Sequence, residues 1–108
     1  MTKVKEITPK ELKAKFDQND DFYLLDVRNP DEPEICTIGG ELIPLGELAE
    51  NLDKIPTDNM IVVYCRSGGR SGKAVQIIQS ELNLEEVYNL AGGILRYSDD
   101  VDSSLVKY

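Results

Sequence analysis

The stretch that decides the fold is Met60-Ile61-Val62-Val63-Tyr64 followed by Cys65-Arg66-Ser67-Gly68-Gly69-Arg70-Ser71. Its first five residues are uninterrupted, partly β-branched and apolar on both faces, which predicts a central strand covered on both sides. The two glycines break that pattern at the strand's end. Ser71–Leu82 then places Ala74, Val75, Ile78 and Leu82 on one helical stripe. A buried strand, a short glycine-rich loop and an amphipathic helix form a βα unit, and in parallel α/β sheets ligands bind where such strands end.

Outward from this unit the same alternation continues. Pro9–Asp17 reads as a helix: Thr8 is its cap, Pro9 suits the first helical position, and Glu11 completes a capping box. Phe22–Val27 reads as a buried strand that ends in Arg28-Asn29-Pro30-Asp31-Glu32-Pro33, where two prolines impose irregular backbone. Leu42-Ile43-Pro44 reads as a short strand after Gly39-Gly40. Leu45, Leu48, Leu52 and Ile55 predict a helix over Leu45–Ile55, and Val87–Leu90 reads as another strand. Ile94–Val101, after Gly92-Gly93, predicts a last helix. Strands alternating with helices over short connections make a mostly parallel sheet with helices on both faces.

Composition narrows the function. The chain has 108 residues, a length that fits one domain over residues 1–108. Twelve Lys and Arg against twenty Asp and Glu give 12 − 20 = −8, which argues against general binding of nucleic acid or anionic membrane. The longest apolar run, Met60–Cys65, is far short of the ~20 residues of a membrane helix. Met1-Thr2-Lys3-Val4-Lys5-Glu6 shows no apolar leader region. There is no histidine, which removes Ser/His and Cys/His pairs and every His metal ligand. Two cysteines, Cys36 and Cys65, are too few for a zinc site or a disulfide framework. The chain reads as a cytoplasmic monomer with free thiols and needs neither metal nor cofactor.

The chemistry concentrates at Cys65. Glycines at 68 and 69 allow backbone N–H groups to converge in a cradle, and the following helix aims its positive end at the same point. No acidic residue falls between Asp58 and Glu81, whereas Arg66, Arg70 and Lys73 do. A free cysteine with pKa ~8.5 is only about 3% ionised at pH 7. Lowering it to roughly 6.5 makes about three-quarters thiolate and needs ~2.7 kcal/mol, within reach of a dipole and several donors. No external base is then required. Cysteine phosphatases space this loop as Cys-x5-Arg, while Cys65 to Arg70 is Cys-x4-Arg, one residue shorter. The tighter ring suits one anionic sulfur atom, a persulfide on Cys65, and hence sulfur transfer. The competing reading is an inert buried cysteine at a glycine-rich turn.

Other candidates read more plainly. Cys36, beside Ile35, reads as a small core residue rather than a resolving thiol. Asp26, at a strand end beside Arg28, reads as an ion-paired support rather than a catalytic acid. Asp31, Glu32 and Glu34 read as a solvated face, since Pro30 and Pro33 prevent helical alignment. Asp99-Asp100-Val101-Asp102 lacks the twelve-residue calcium-loop pattern and reads as a charged tail.

Three motifs in order resemble the single-domain rhodaneses over nearly the whole chain. They are Leu25-Asp26-Val27-Arg28 with Pro30 and Glu32, the loop Tyr64–Ser71, and Leu90-Ala91-Gly92-Gly93-Ile94. The resemblance implies a rhodanese-like three-layer sandwich with a five-stranded, mostly parallel sheet. It implies a persulfide on Cys65, substrate binding by Arg66, Ser67, Gly68, Gly69, Arg70 and Ser71, and structural support from Asp26 and Arg28. The family's Gly-His-Ile is replaced by Gly39-Gly40-Glu41, and the aromatic after the Gly-Gly turn is Tyr97. Ile35–Gly40 and the ending at Tyr108 resemble rhodanese domains appended to ubiquitin-activating-type adenylyltransferases. That implies a sulfur-carrier protein or an adenylyltransferase as acceptor, while Arg66 and Arg70 suit a small anionic sulfur donor such as thiosulfate. Two other readings remain at this point: a non-catalytic interaction module of the same fold, and a small cysteine phosphatase or arsenate reductase.

Overall fold

A computed structural model of the protein describes residues 4–108; Met1–Lys3, the start of the stretch read as lacking a leader region, lie outside the described residues. In chain order the elements are β1 (Lys5–Ile7), α1 (Pro9–Asp17), β2 (Phe22–Asp26), β3 (Glu41–Leu42), two short 3₁₀ turns (Leu45–Glu50 and Leu52–Lys54), β4 (Met60–Tyr64), α2 (Gly69–Leu82), β5 (Val87–Leu90) and α3 (Gly93–Asp100). The five strands form one sheet in the order β1-β5-β4-β2-β3, and every neighbouring pair is parallel.

β4 is the middle strand, and Ile61, Val62, Val63 and Tyr64 are fully buried. Its side chains alternate between two cores. Ile61, Val63 and Cys65 pack with Leu25, Val27, Leu48, Ala74, Val75 and Ile78, beneath α2 and the 3₁₀ turns. Val62 and Tyr64 pack with Leu12, Leu24, Cys36, Leu90, Ile94 and Tyr97, beneath α1 and α3. A buried aliphatic side chain of this kind contributes about 1.5–3 kcal/mol relative to exposure, so the centre of the sheet fixes the frame on which the loop after β4 is hung.

α1 forms as its sequence predicts. The Thr8 side chain accepts from the Glu11 N–H at 3.1 Å, and the Glu11 carboxylate accepts from the Thr8 N–H at 2.8 Å. Four elements differ from expectation by more than one residue, the first being β3, which lies at Glu41–Leu42 rather than Leu42–Pro44 because only those two residues pair with Leu25 and Asp26 of β2. β1 has no period to read, because it is three residues long with only Ile7 buried. The helix expected over Leu45–Ile55 is two 3₁₀ turns. The Asn51 side-chain amide donates to the Glu47 carbonyl at 2.7 Å, which in an α-helix would accept from the Asn51 backbone; the Asn51 N–H bonds the Leu48 carbonyl instead, at 2.9 Å. Residues three apart share a 3₁₀ face, so Leu45 and Leu48 still turn toward the core. Finally, α2 begins at Gly69, two residues before Ser71, because Gly68 caps it in a left-handed conformation with φ 107° and its carbonyl accepts from the Gly72 N–H at 3.0 Å.

Candidate active site

Cys65 is the first residue beyond β4 and is only 1% exposed. The loop that follows folds over its sulfur. Sγ accepts from the Gly68 N–H at 3.1 Å and from the Ser71 N–H at 3.4 Å, and Ser71 Oγ stands 3.3 Å away. The loop's carbonyls turn the other way. Those of Cys65 and Arg66 accept from the N–H groups of Ile94 and Leu95 in the first turn of α3, at 2.9 and 3.1 Å. The strand end, the start of α2 and the start of α3 thus divide the peptide groups of one loop, donors toward the sulfur and acceptors toward α3. Burial pushes the Cys65 thiol up. Donation from the N–H groups of Ser71, Gly68 and Ser67, and from the Ser71 hydroxyl whenever its proton is turned to the sulfur, outweighs it, and the thiol ends below an ordinary cysteine.

Around this cradle lies a network of charges. Arg70, in the first turn of α2, makes a two-pronged pair with Glu32, Nη1 to Oε1 at 2.6 Å and Nη2 to Oε2 at 3.0 Å. Glu32 also accepts from the Asn29 N–H at 3.1 Å and the Tyr108 hydroxyl at 2.5 Å. The Arg70 bonds, with those from Tyr108 and Asn29, overcome burial and hold the Glu32 carboxyl down to about 2. Burial and the bond to Glu32 push Tyr108 up to about 12. Arg28 is fully buried; its Nε and Nη2 donate to the two oxygens of Asp26 at 2.9 and 2.8 Å. Its remaining donors reach the Tyr108 hydroxyl and the Cys36 carbonyl, each at 3.0 Å, and its plane lies 5.3 Å from the Tyr64 ring centroid. Arg66 is exposed, stacks 5.1 Å from the Tyr108 ring centroid and donates to the Tyr108 carbonyl.

The six loop residues singled out after Cys65 therefore lie around one sulfur, but differently from one another. Gly68 and Ser71 touch it, Ser67 and Gly69 form the exposed crest, and Arg66 and Arg70 point to neighbours on the rim. Asp26 and Arg28 lie at the end of β2 and are linked to the rim of the loop through Tyr108 and Glu32. One expectation is corrected: of the acids read as a solvated face, Asp31 and Glu34 are exposed, but Glu32 is 8% exposed because it holds Arg70. Cys36 is buried in the core on the far side of the sheet from Cys65.

Three participants escape a reading of the sequence. Tyr108 meets Glu32 across 76 positions of chain, with no local signal. Glu32 is indistinguishable in type from the acids beside it. Asn89 did carry a signal, an uncharged polar residue of a type depleted in strands within the apolar Val87–Leu90. Its side chain donates to the Gly68 carbonyl at 3.1 Å and accepts from the Ser71 hydroxyl at 2.5 Å. A separate surface cavity of about 540 Å³, lined by Phe16, Phe22, Ile38 and Gly40 among others, includes none of these residues.

Comparison with known proteins places the chain in a family. The family model described as Rhodanese-like domain matches residues 8–100. The probable adenylyltransferase/sulfurtransferase MoeZ of Mycobacterium tuberculosis is 35% identical over 105 residues, covering 94% of this chain but 26% of that protein. The chain thus spans about a quarter of that relative's length. A sulfurtransferase of Allochromatium vinosum is 32% identical over 101 residues, covering 88% of this chain and 89% of its own. The human single-domain sulfurtransferase TSTD1 superposes with a TM-score of 0.79 at 24% identity over 91% of this chain and 98% of its own, a likeness of fold.

Proposed function

The chain belongs to the rhodanese-like domain family, and from that premise we propose that it carries a sulfane sulfur on Cys65 from an anionic donor such as thiosulfate to a thiophilic acceptor. The observation that supports this most is the pair of backbone donors, from Gly68 and Ser71, converging on Cys65 Sγ at 3.1 and 3.4 Å. They stabilise an anion without a base, in a chain that has no histidine to act as one.

The Cys65 thiolate attacks the outer sulfur of thiosulfate. The S–S bond of the donor breaks, sulfite departs with the bonding pair, and Cys65 is left as a persulfide anion. An acceptor thiolate or cyanide then attacks the terminal sulfur, and the Cys65 thiolate leaves with the electrons of the Cys–S–S bond. Both halves place negative charge on sulfur inside the loop, where the N–H groups and the start of α2 already point. The near-complete burial of Cys65 favours a donor that presents a single atom over one that presents a tetrahedral centre. Arg66 is exposed at the rim and meets the donor's anionic end, while Arg70, fixed by Glu32, supplies a stationary positive charge. A sulfur-carrier protein or an adenylyltransferase is the acceptor class we favour, since MoeZ is named for both activities.

Thiosulfate treatment followed by mass spectrometry of the intact protein tests the proposal. An adduct of about +32 Da, one sulfur, is expected on Cys65. Cys65→Ser should lose both the adduct and transfer to cyanide while keeping its thermal midpoint within a few degrees. Equal turnover in that variant would overturn the assignment.

A further inference from the structure

The hydrogen bonds around Ser71 have a direction that can be deduced. The Gly68 carbonyl only accepts, so the Asn89 group 3.1 Å from it is the amide nitrogen. That turns Asn89 Oδ1 toward Ser71, 2.5 Å away. Oδ1 also only accepts, so the single hydroxyl proton of Ser71 points at Asn89. What Ser71 then offers Cys65 Sγ, at 3.3 Å, is a lone pair. A lone pair favours the S–H form; only a hydroxyl turned round to donate favours the thiolate. Ser71 is fully buried and Asn89 is 5% exposed, so water does not readily substitute for either partner. The alternation of β5 puts Asn89 on the same face as Val87, under α2, and it reaches Ser71 directly from the strand beside β4.

We propose that Asn89 is a positioning residue that sets the acidity of Cys65 by competing with its thiolate for the one proton of Ser71. When Cys65 is a thiol, the chain of bonds runs from S–H to Ser71 Oγ and from Ser71 O–H to Asn89 Oδ1. When Cys65 ionises, its proton goes to solvent and the Ser71 hydroxyl must leave Asn89 to serve the sulfur. Asn89 resists that turn and keeps the sulfur more basic than it would be with the Ser71 hydroxyl free to donate. A more basic thiolate is the better nucleophile as long as it is ionised at ambient pH, so the competition tunes attack as well as ionisation. The charges that face Cys65 are unchanged by it. They are Arg70 on α2, held by Glu32, and Arg66 on the loop, held by Tyr108; Asp26 and Arg28, at the end of β2, are paired with each other. Lys73 on α2 is exposed, and Arg96 on α3 is drawn to Asp100.

The proposal deepens the assignment of Cys65 as the nucleophile and rests on it, but its test needs no sulfur transfer. The ¹³Cβ shift of Cys65, followed against pH in the cysteine-labelled chain, reads the ionisation midpoint directly and resolves Cys36 as a separate signal. Asn89→Ala should lower the midpoint by about one unit, the size expected for one hydrogen bond gained by an anion. If Asn89 served only to brace the loop, its loss would loosen the Gly68 donor and raise the midpoint. The sign therefore decides. Ser71→Ala alone should move the midpoint by less than about half a unit, and adding Asn89→Ala to it should produce no further fall. A rise in Asn89→Ala, a fall that persists without the Ser71 hydroxyl, or a rise of a full unit in Ser71→Ala overturns the proposal. Should Asn89→Ala fail to fold, the Ser71→Ala titration still decides. Absence of a sulfur adduct on Cys65 after thiosulfate treatment, with these midpoints as expected, would overturn the transfer reading and leave the competition standing.

Discussion

Gly93→Ala should damage the site from behind. Gly93 holds φ at +64°, and a Cβ built there would stand 2.4 Å from the Arg66 carbonyl oxygen and 2.7 Å from that of Cys65. Both obstacles are backbone, so no side chain can swing aside. The substitution costs about 1–2 kcal/mol for left-handed backbone. It also forces apart the two bonds that α3 makes to the loop, from Ile94 to the Cys65 carbonyl and from Leu95 to that of Arg66, at about 1 kcal/mol each. The sum, about 3–4 kcal/mol, is a large part of a domain's stability and corresponds to a fall in Tm on the order of 15 °C. Gly39→Ala separates the two terms. Its φ is +96°, yet a Cβ there meets nothing within 4 Å, so only the backbone cost of about 1–2 kcal/mol applies. Calorimetry should therefore rank Gly93→Ala well below Gly39→Ala, and thiosulfate:cyanide turnover, measured below both transitions, should fall at least about tenfold in Gly93→Ala alone. Equal melting and equal turnover in the two variants would refute the idea that α3 holds the loop by its carbonyls.

Other outcomes follow from the rim. The Glu32 carboxyl is lowered from 4.5 to about 2, so its stabilisation is complete above pH 4.5 and is lost as pH falls through 2. Allowing for solvent around the 34%-exposed Arg70 side chain, it is on the order of 2 kcal/mol; urea unfolding should show Glu32→Gln less stable than wild type at pH 7, with the gap closing toward pH 2. Tyr108→Phe strips a partner from both the buried Arg28 and Glu32 and should cost about 1–3 kcal/mol by the same assay. Cys36→Ser should keep most of the sulfur-transfer rate, because Cys36 lies in the opposite core; a loss equal to that of Cys65→Ser would give Cys36 a resolving role.

What the sequence revealed was what its neighbours in the chain decide. The capping box at Thr8 and Glu11 and the loop Cys65–Ser71 each hold donor, acceptor and spacing within a few residues, and the run Met60–Tyr64 carries its apolar pattern in consecutive residues, so local chemistry names them. α2 starts early because a glycine read as loop is also a good cap in left-handed backbone. The leucine spacing after Leu45 fits both kinds of helix, and Asn51 chooses between them by a side-chain bond that no periodicity encodes. The rim was illegible for a different reason. Glu32 finds Arg70 38 positions away, and Arg28 finds Tyr108 80 positions away; only the closed sheet brings them together.

The sheet between the two cysteines has a chemical consequence of its own. Cys65 and Cys36 open into separate cores, so if Cys65 is oxidised to a sulfenic acid, no second thiol of the same chain can reach it to close a disulfide. Repair must come from a thiol that arrives from outside these residues.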